Sequence, residues 1–426
     1  MKTRMPPVFK IVERFILKHM KIVFYIKQVL KMAMQQVYLP MLYKRYAGKP
    51  VEKGLVIFAD AHHEDLPFSM RKMYETLQGD PEYKNETWVT DFGKMGYGSL
   101  LKWLKQFMKR YAAAEYVFIC DNFLPVSACT KRPETKVVQL WHSGGLLKKS
   151  GYDTTEDIPK MYKGGSVYKN YDLLTVSALC CVPVFTKTMR LAPGVVQATG
   201  ISRSDCYYDE AWNQANREEF YRKYPDAKGK KVILWAPTFR GNAAMPTLCG
   251  MEEIQRAMKE TSDRYYWVIK LHPHLEEKGM KSNCDLPSEK IFAVADLLIT
   301  DYSSVLFDYM VYEKPFLFFA PDFDSFDHAR GFYVPYDSFP CQIVSDGTKL
   351  VAAIDREFTQ NRTDEIRECL KYHMQMCDGQ ATERILEQKR RHCYAQHDWI
   401  FWCCRRRGHC GRHLGRGCFP AQGAER

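Results

Sequence analysis

Apolar positions between residues 51 and 390 fall into short solid runs separated by longer stretches in which apolar and polar residues alternate at helical spacing. The first runs are 54-GLVIFAD-60, 87-TWVTDF-92, 115-EYVFICD-121, 136-KVVQLWH-142, 173-LLTVS-177 and 195-VVQATG-200. Runs of this length bounded by turn residues predict buried strands. Between them, 99-SLLKWLKQFMKRYAAA-114 keeps one apolar face and predicts an amphipathic helix. A second series follows after residue 230: 231-KVILWAPTF-239, 266-YWVIKLHP-273, 296-DLLITD-301, 315-PFLFFAPD-322 and 340-PCQIVSD-346, with helices over about 348–360 and 363–377. Strands alternating with helices predict an α/β chain with two parallel, doubly wound sheets, joined near 201–230. A ligand cleft is then expected between the carboxyl ends of the two sheets.

Charge is distributed unevenly. Of a formal +12, residues 1–50 contribute eleven Lys/Arg against one Glu, and residues 397–426 six Arg against Asp398 and Glu425. The body between is close to neutral and lacks interleaved basic and aromatic residues, which argues against nucleic acid as a partner. Within 8-VFKIVERFILKHMKIVFYIKQVLKMAMQQVYLPML-42, Lys10, Arg14, Lys18 and Lys21 share one helical side, and Val12, Phe15, Ile16, Val23, Ile26 and Leu30 share the other. A basic amphipathic arm over residues 1–45 suits an anionic membrane surface. Its longest unbroken apolar run is IVFYI at 22–26, too short to span a bilayer. Fifteen cysteines without framework spacing predict reduced thiols and a cytoplasmic setting. The segment 391–426, basic and rich in cysteine, matches no structural zinc spacing and is expected to be disordered. No metal or cofactor is expected, and neither a G-x-G-x-x-G nor a P-loop pattern occurs.

Polar residues cluster where predicted strands end. Strand 136–142 runs into His142 and then Lys148; strand 231–236 into Thr238 and Arg240; strand 266–271 carries Lys270 and ends at His272; strand 296–301 ends in Thr300, Asp301, Ser303 and Ser304. The last junction opens a helix predicted over 305–312, with Ser303 or Ser304 as N-cap, a contribution of about 0.5–2 kcal/mol. A helix start after a strand also offers N–H groups to a phosphate. A histidine can take a proton from an attacking hydroxyl near neutral pH. Arg240 and Lys270 can balance charge on phosphate oxygens. The chemistry these residues suit is transfer from a nucleotide diphosphate donor to a hydroxyl.

The blocks 139-QLWHSGGLLKKSGYD-153, 233-ILWAPTFRGN-242, 268-VIKLHPH-274 and 296-DLLITDYSSVLFDYMVYEKPFLFF-319 resemble the CDP-glycerol glycerophosphotransferases of teichoic acid synthesis. Shorter echoes are 199-TGISRSD-205, 327-DHARGFYVPYD-337 and 377-CDGQATERILE-387, so the resemblance covers about 51–390. It implies a GT-B-like architecture: an arm at 1–50, an acceptor-side Rossmann-like domain at 51–200, and a CDP-glycerol-binding one at 201–390. It implies a peripheral protein on the cytoplasmic side of the cell membrane. The activity implied is transfer of glycerol phosphate from CDP-glycerol to a polyprenyl-diphosphate-linked acceptor, releasing CMP. By position, His142 resembles the histidine expected to deprotonate the acceptor hydroxyl and His272 the one near the donor phosphates. Thr238, Arg240, Lys270, Thr300, Asp301, Ser303, Ser304 and Asp308 match donor-facing positions, with Lys148 beside them. After His142 this chain has Ser-Gly-Gly where members often carry Gly-Thr-Pro.

Two other readings compete. One is a related GT-B-type transferase using CDP-ribitol or a nucleotide sugar; the other is a non-enzymatic basic membrane adaptor. The lack of room for an acceptor-tracking domain favours single addition over polymerisation, and the sequence leaves room for a homo-oligomer.

Overall fold

The computed structural model of the protein describes residues 29–158, 162, 165–242 and 245–388. Most of the basic arm (1–28) and the whole of the Cys-rich tail (391–426) lie outside the described residues. The described residues through Thr382 form one compact unit, and the described residues Glu383–Gln388 fall outside it.

The first sheet holds β1 Glu52–Asp60, β2 Lys84–Val89, β3 Ala114–Ile119, β4 Lys136–Gln139, β5 Leu173–Thr175 and β6 Val196–Gln197. All pair in parallel in the order β2-β1-β3-β4-β5-β6. The second series is β7 Lys231–Ala236, β8 Arg240–Asn242, β9 Met245–Thr247, β10 Tyr265–Ile269, β11 Leu297–Thr300, β12 Phe316–Phe319 and β13 Ile343–Val344. Of these, β10-β7-β11-β12-β13 form the second parallel sheet, while β8 and β9 pair antiparallel as a small ribbon. Val56–Ala59 in β1, Val117–Ile119 in β3 and all of β11 are buried, the unbroken apolar run expected of strands covered on both faces. Strand order reverses between β1 and β3 in the first sheet and between β7 and β11 in the second. Such switch points open a crevice at the strands' carboxyl ends.

Several expected strands stop early, and each early stop frees a polar residue. β4 ends at Gln139 instead of 142 because Trp141 turns the chain with φ +55°. β7 ends at Ala236, ahead of Pro237, which has no N–H to give a ladder. β10 and β12 end at Ile269 and Phe319, ahead of 273 and 322. The segment 201–230, expected as a join, is largely folded: a 3-10 stretch at Ser202–Tyr208, then a helix at Glu210–Lys223. Asp209 caps that helix by accepting from the N–H groups of Ala211 and Trp212.

The helix predicted at 99–114 spans Tyr97–Tyr111 and buries Leu104, Phe107, Met108 and Tyr111 against the first sheet. The described part of the arm is helical, with a π-type turn at Met34–Tyr38 followed by an α-helix at Leu39–Tyr46. Leu39, Leu42 and Tyr43 are buried in the first core, with the Tyr43 ring 5.0 Å from that of Tyr111. Val29, Leu30, Val37 and Met41 stay exposed. Among the described residues no helix is long and apolar enough to cross a membrane, and the ten described cysteines are free thiols.

The two sheets are tied through the loop that leaves β4. Gly145 sits at φ +56°, and a Cβ there would lie 2.3–2.6 Å from Phe307 ring atoms. A Cβ on Gly144 would meet Met374 Sδ at 2.6 Å. Gly145 N donates to Ser177 Oγ (2.8 Å) and Leu146 N to His373 Nδ1 (3.2 Å), while Ser177 Oγ donates to the His373 carbonyl (2.7 Å). Farther along, Tyr333 N donates to Leu147 O (2.8 Å) and Lys149 N to Gly331 O (3.0 Å). Gly145→Ala combines a left-handed backbone with a ring clash, so it is expected to cost at least about 2 kcal/mol in chemical denaturation. Gly194→Ala, at φ +86° with open space around its Cβ, carries backbone strain alone and is expected to cost about 1 kcal/mol.

Candidate active site

The polar strand ends of the sequence meet at the carboxyl ends of the two sheets, though not all in the expected roles. His142 follows the Trp141 turn and donates from Nδ1 to the carbonyl of Cys120, at the end of neighbouring β3 (2.9 Å). This bond fixes the tautomer and leaves Nε2 outward as an acceptor. The Asp121 carboxylate lies 4.0 Å from the same Nδ1, and the His142 side chain is 42% exposed. Six residues on, Lys148 bridges in antiparallel fashion to Phe332. Its surroundings include Arg330, Asp301, Asp157 and Arg240, and no hydrogen bond holds its ammonium among the described residues. Burial, helped by Arg330, lowers its pKa to about 8.

In the second sheet Asp301 is the hub of the β7/β11 switch point. Its Oδ1 accepts from Thr238 N (2.8 Å) and Tyr302 N (2.6 Å), and its Oδ2 from Arg240 Nη2 (2.9 Å). Arg240 also grips Asp322 through Nε (2.6 Å) and Nη2 (2.9 Å), and donates from Nη1 to the Thr238 carbonyl. Four of its five N–H donors are therefore engaged. Its guanidinium lies 4.8 Å from the Tyr302 ring centroid, and Tyr302 stacks on Phe326. Burial opposes its charge, but Asp322 and Asp301 outweigh that and hold its pKa above the ordinary value. The expected phosphate clamp is thus first a brace between two carboxylates. Thr300 donates to the Ala236 carbonyl (2.7 Å) and is buried, tying β11 to β7. Thr238 keeps a buried hydroxyl with no hydrogen-bond partner.

His272 begins a single turn at Pro273–Glu276, and its Nδ1 accepts from His274 N (3.3 Å). Phe239 lies against both rings, at centroid distances of 4.6 and 5.5 Å. His272 is exposed, yet the protein around it, then His274 and Lys148, holds its pKa below the ordinary histidine range. Lys270 departs from expectation: its ammonium donates to the Cys284 carbonyl (3.0 Å), and its backbone N–H to Trp235 O (2.9 Å), bracing loop and strand.

The helix after β11 spans Val305–Met310, shorter than predicted. Ser304 holds the N-cap position but makes no side-chain cap bond, and Ser303 Oγ accepts only a long bond from Val305 N (3.4 Å). With six residues its dipole is slight, so the two half-exposed hydroxyls offer more to an anion than the helix does. Asp308 is neither solvated nor a cap. It is buried and accepts from Arg203 Nη2 (2.5 Å), while its Oδ1 and Arg203 Nε have no hydrogen-bond partner. Burial, partly offset by Arg203 and by His142, raises its pKa to about 6. Sequence reasoning passed over Asp322 and Arg203. The first sits in a predicted strand end, and the second in a motif quoted for its family likeness but given no role.

Two parallel sheets with polar residues gathered at their switch points define an α/β protein with its crevice at the strands' carboxyl ends. Residues 41–388 match the family described as CDP-glycerol:poly(glycerophosphate) glycerophosphotransferase, and the chain belongs to that family, phosphotransferases of teichoic acid synthesis. It is 29% identical over 362 residues to the teichoic acid ribitol-phosphate primase of Bacillus spizizenii, covering 79% of this chain and 91% of the relative. It is 30% identical over 263 residues to the teichoic acid glycerol-phosphate primase of Bacillus subtilis, covering 58% and 66%. The solved wall teichoic acid polymerase TagF shares the fold, with a TM-score of 0.67 at 20% identity over 88% of this chain and 98% of that one.

The two cations of the site are expected to respond oppositely to removal. Arg240→Gln strands two partly buried carboxylates and should cost about 3–5 kcal/mol in denaturant unfolding. Lys148→Met removes a partly buried charge that has no hydrogen-bond partner among the described residues, and should leave stability equal or higher at pH 7. Because the folded pKa of Lys148 is depressed, the wild-type protein should gain stability as pH rises from about 8 toward the unfolded value of about 10.4, and the variant should lose that gain.

Proposed function

We propose that the protein transfers a polyol phosphate, glycerol phosphate or ribitol phosphate, from its CDP-activated form to a hydroxyl of a polyprenyl-diphosphate-linked acceptor. The observation that carries this reading is the β4 loop. It holds an outward imidazole, His142, and an unpartnered ammonium, Lys148, on one short segment seated against the second sheet. In this reading residues 51–200 form the acceptor side and 201–390 the CDP-donor side, two Rossmann-type domains facing a central cleft.

His142 Nε2 takes the proton of the acceptor hydroxyl as its oxygen bonds to the polyol-bearing phosphorus. The bond from that phosphorus to the bridging oxygen breaks, and CMP leaves with the electron pair. Lys148 balances the charge gathering on the leaving phosphate, with Thr238, Ser303 and Ser304 as hydroxyl donors and His272 near the diphosphate. Arg240, Asp301, Asp322 and Thr300 hold those groups in place, and Lys270 braces the strand that ends at His272. The arm at 1–45, whose described part exposes Val37 and Met41, brings the site to the anionic cytoplasmic membrane face where a lipid-linked acceptor resides. Relatives named for ribitol phosphate and for glycerol phosphate both support a polyol phosphate, and neither narrows it to one.

The test is CMP release from CDP-glycerol and CDP-ribitol in parallel, with a soluble alkyl-diphosphate disaccharide acceptor. Acceptor-dependent release from one donor is expected, falling by about 10²–10⁴ in His142→Ala. Turnover of a UDP-sugar alone, read as UDP release, would replace the donor class, and no nucleotide release from any donor would leave the adaptor reading.

A further inference from the structure

The loop 60-DAHHED-65 plays no part in the mechanism above, yet it closes β1 at the switch point of the first sheet. Asp60 is buried and fully employed. Its Oδ1 accepts from the N–H groups of His62 (2.7 Å) and His63 (2.9 Å) and from His63 Nδ1 (2.8 Å). Its Oδ2 lies 4.0 Å from Cys120 Sγ, and Cys120 is the residue whose carbonyl orients His142. The His63 side chain is 52% exposed, and its Nε2 has no partner among the described residues. His63 and His142 therefore flank the end of β3, each held by Nδ1 and each presenting Nε2. Their strands, β1 and β4, stand two strand spacings apart, roughly 10 Å. A gap of that order accommodates one sugar or polyol residue, with Asp121 between the two rings. Both rings feel the Asp121 carboxylate, which lies 4.0 Å from His142 and also acts on His63.

We propose that His63, backed by Asp60, is an acceptor-binding residue whose Nε2–H donates to a phosphate oxygen of the acceptor and so sets its hydroxyl beside His142. The inference rests on the transfer reading above and adds a specificity element to its acceptor side. The Asp60 hydrogen bond, followed by the nearby Asp121 and Asp91, favours the charged ring and holds the His63 pKa above the ordinary histidine value. The groups that face it are Asp60 and His62 on its own loop, Asp121 after β3 and Asp91 after β2. The rim beyond is formed by Lys94 paired with Glu64 (3.0 Å). Asp60 is matched by His63 itself, which leaves the outward Nε2–H as the donor that this loop presents.

The phosphate has two sources, the diphosphate link or a glycerol phosphate already added, and two acceptors separate them: an alkyl-diphosphate disaccharide and the same compound bearing one glycerol phosphate. Wild-type acceptor-dependent CMP release comes first, and its absence would overturn the transfer reading itself. Given that release, His63→Gln should raise the acceptor KM about tenfold or more while the donor KM stays within about twofold. Wild-type acceptor KM should rise with pH as the ring loses its proton, and that dependence should vanish in His63→Gln and flatten in His63→Lys, which keeps a charge. A KM change confined to the glycerol phosphate acceptor would assign the contact to the added unit, and an equal change with both would assign it to the diphosphate. An acceptor KM within twofold of wild type for both, with an unchanged pH profile, would overturn the proposal.

Discussion

The loop that leaves β4 reaches the second sheet only because Gly144 and Gly145 offer no side chain to Phe307 and Met374. That close approach is the constraint from which the site follows. It lets Leu146 and Ser177 share His373, makes backbone bonds from 147–149 to 331–333 feasible, and carries Lys148 into the field of Arg240 and Asp301. A single Cβ at the contact would push the loop outward and part Lys148 from Phe332 and from the field of Arg240 and Asp301. The unusual φ of Trp141 serves the same end. A residue in that region is costly unless its surroundings over-determine it. Here the Trp141 N–H is held by Gln139 Oε1 (3.0 Å) and its ring packs edge-on to Phe185.

Charge at the second switch point follows from a shortage of donors. Asp301 and Asp322 would be costly to bury singly, and one guanidinium satisfies both because its planar fork presents donors in fixed directions. The backbone N–H groups of Thr238 and Tyr302 complete Asp301. With Arg240 neutralised, Lys148 is the cation left without a hydrogen bond beside it, which is why its charge is available to a ligand and why it is held at an energetic disadvantage when empty. A lysine drawn down to about 8 is still largely charged at neutral pH, so the cation of the proposed site persists.

The architecture was legible in the sequence where strands are buried on both faces: β1, β3, β7 and β11 appear as unbroken apolar runs within a few residues of their limits. Boundaries failed where chemistry takes over from pattern, at Trp141 and Pro237. The Glu210–Lys223 helix escaped notice because only Asn213, Asn216 and Phe220 are buried along it, too thin an apolar stripe to read. Among site residues, motif positions placed His142, Thr238, Arg240, Asp301, Ser303 and Ser304 at the strand ends, but a motif does not record where a side chain points. Lys270 turns to Cys284, Asp308 to Arg203, and Arg240 to two carboxylates. Asp60 and His63 were invisible for a different reason. They gain meaning only from sheet order, which brings the end of β1 beside that of β3, and no local signal in 60–65 encodes that adjacency.

In the proposed transfer, those two strand ends give one residue type two tasks. His142 and His63 both anchor through Nδ1, but to different acceptors. The carbonyl of Cys120 fixes a tautomer and an orientation without adding a full charge, which suits a ring that must accept a proton from a hydroxyl. The carboxylate of Asp60 adds a buried negative charge, and burial alone would push that carboxyl up; the His63 ring and the two backbone N–H groups reverse this and keep it ionised. An ionised Asp60 in turn favours the protonated His63, which suits a ring that must donate to an anion. In that proposal the division of labour between the two rings rests less on the histidines than on the oxygens behind them.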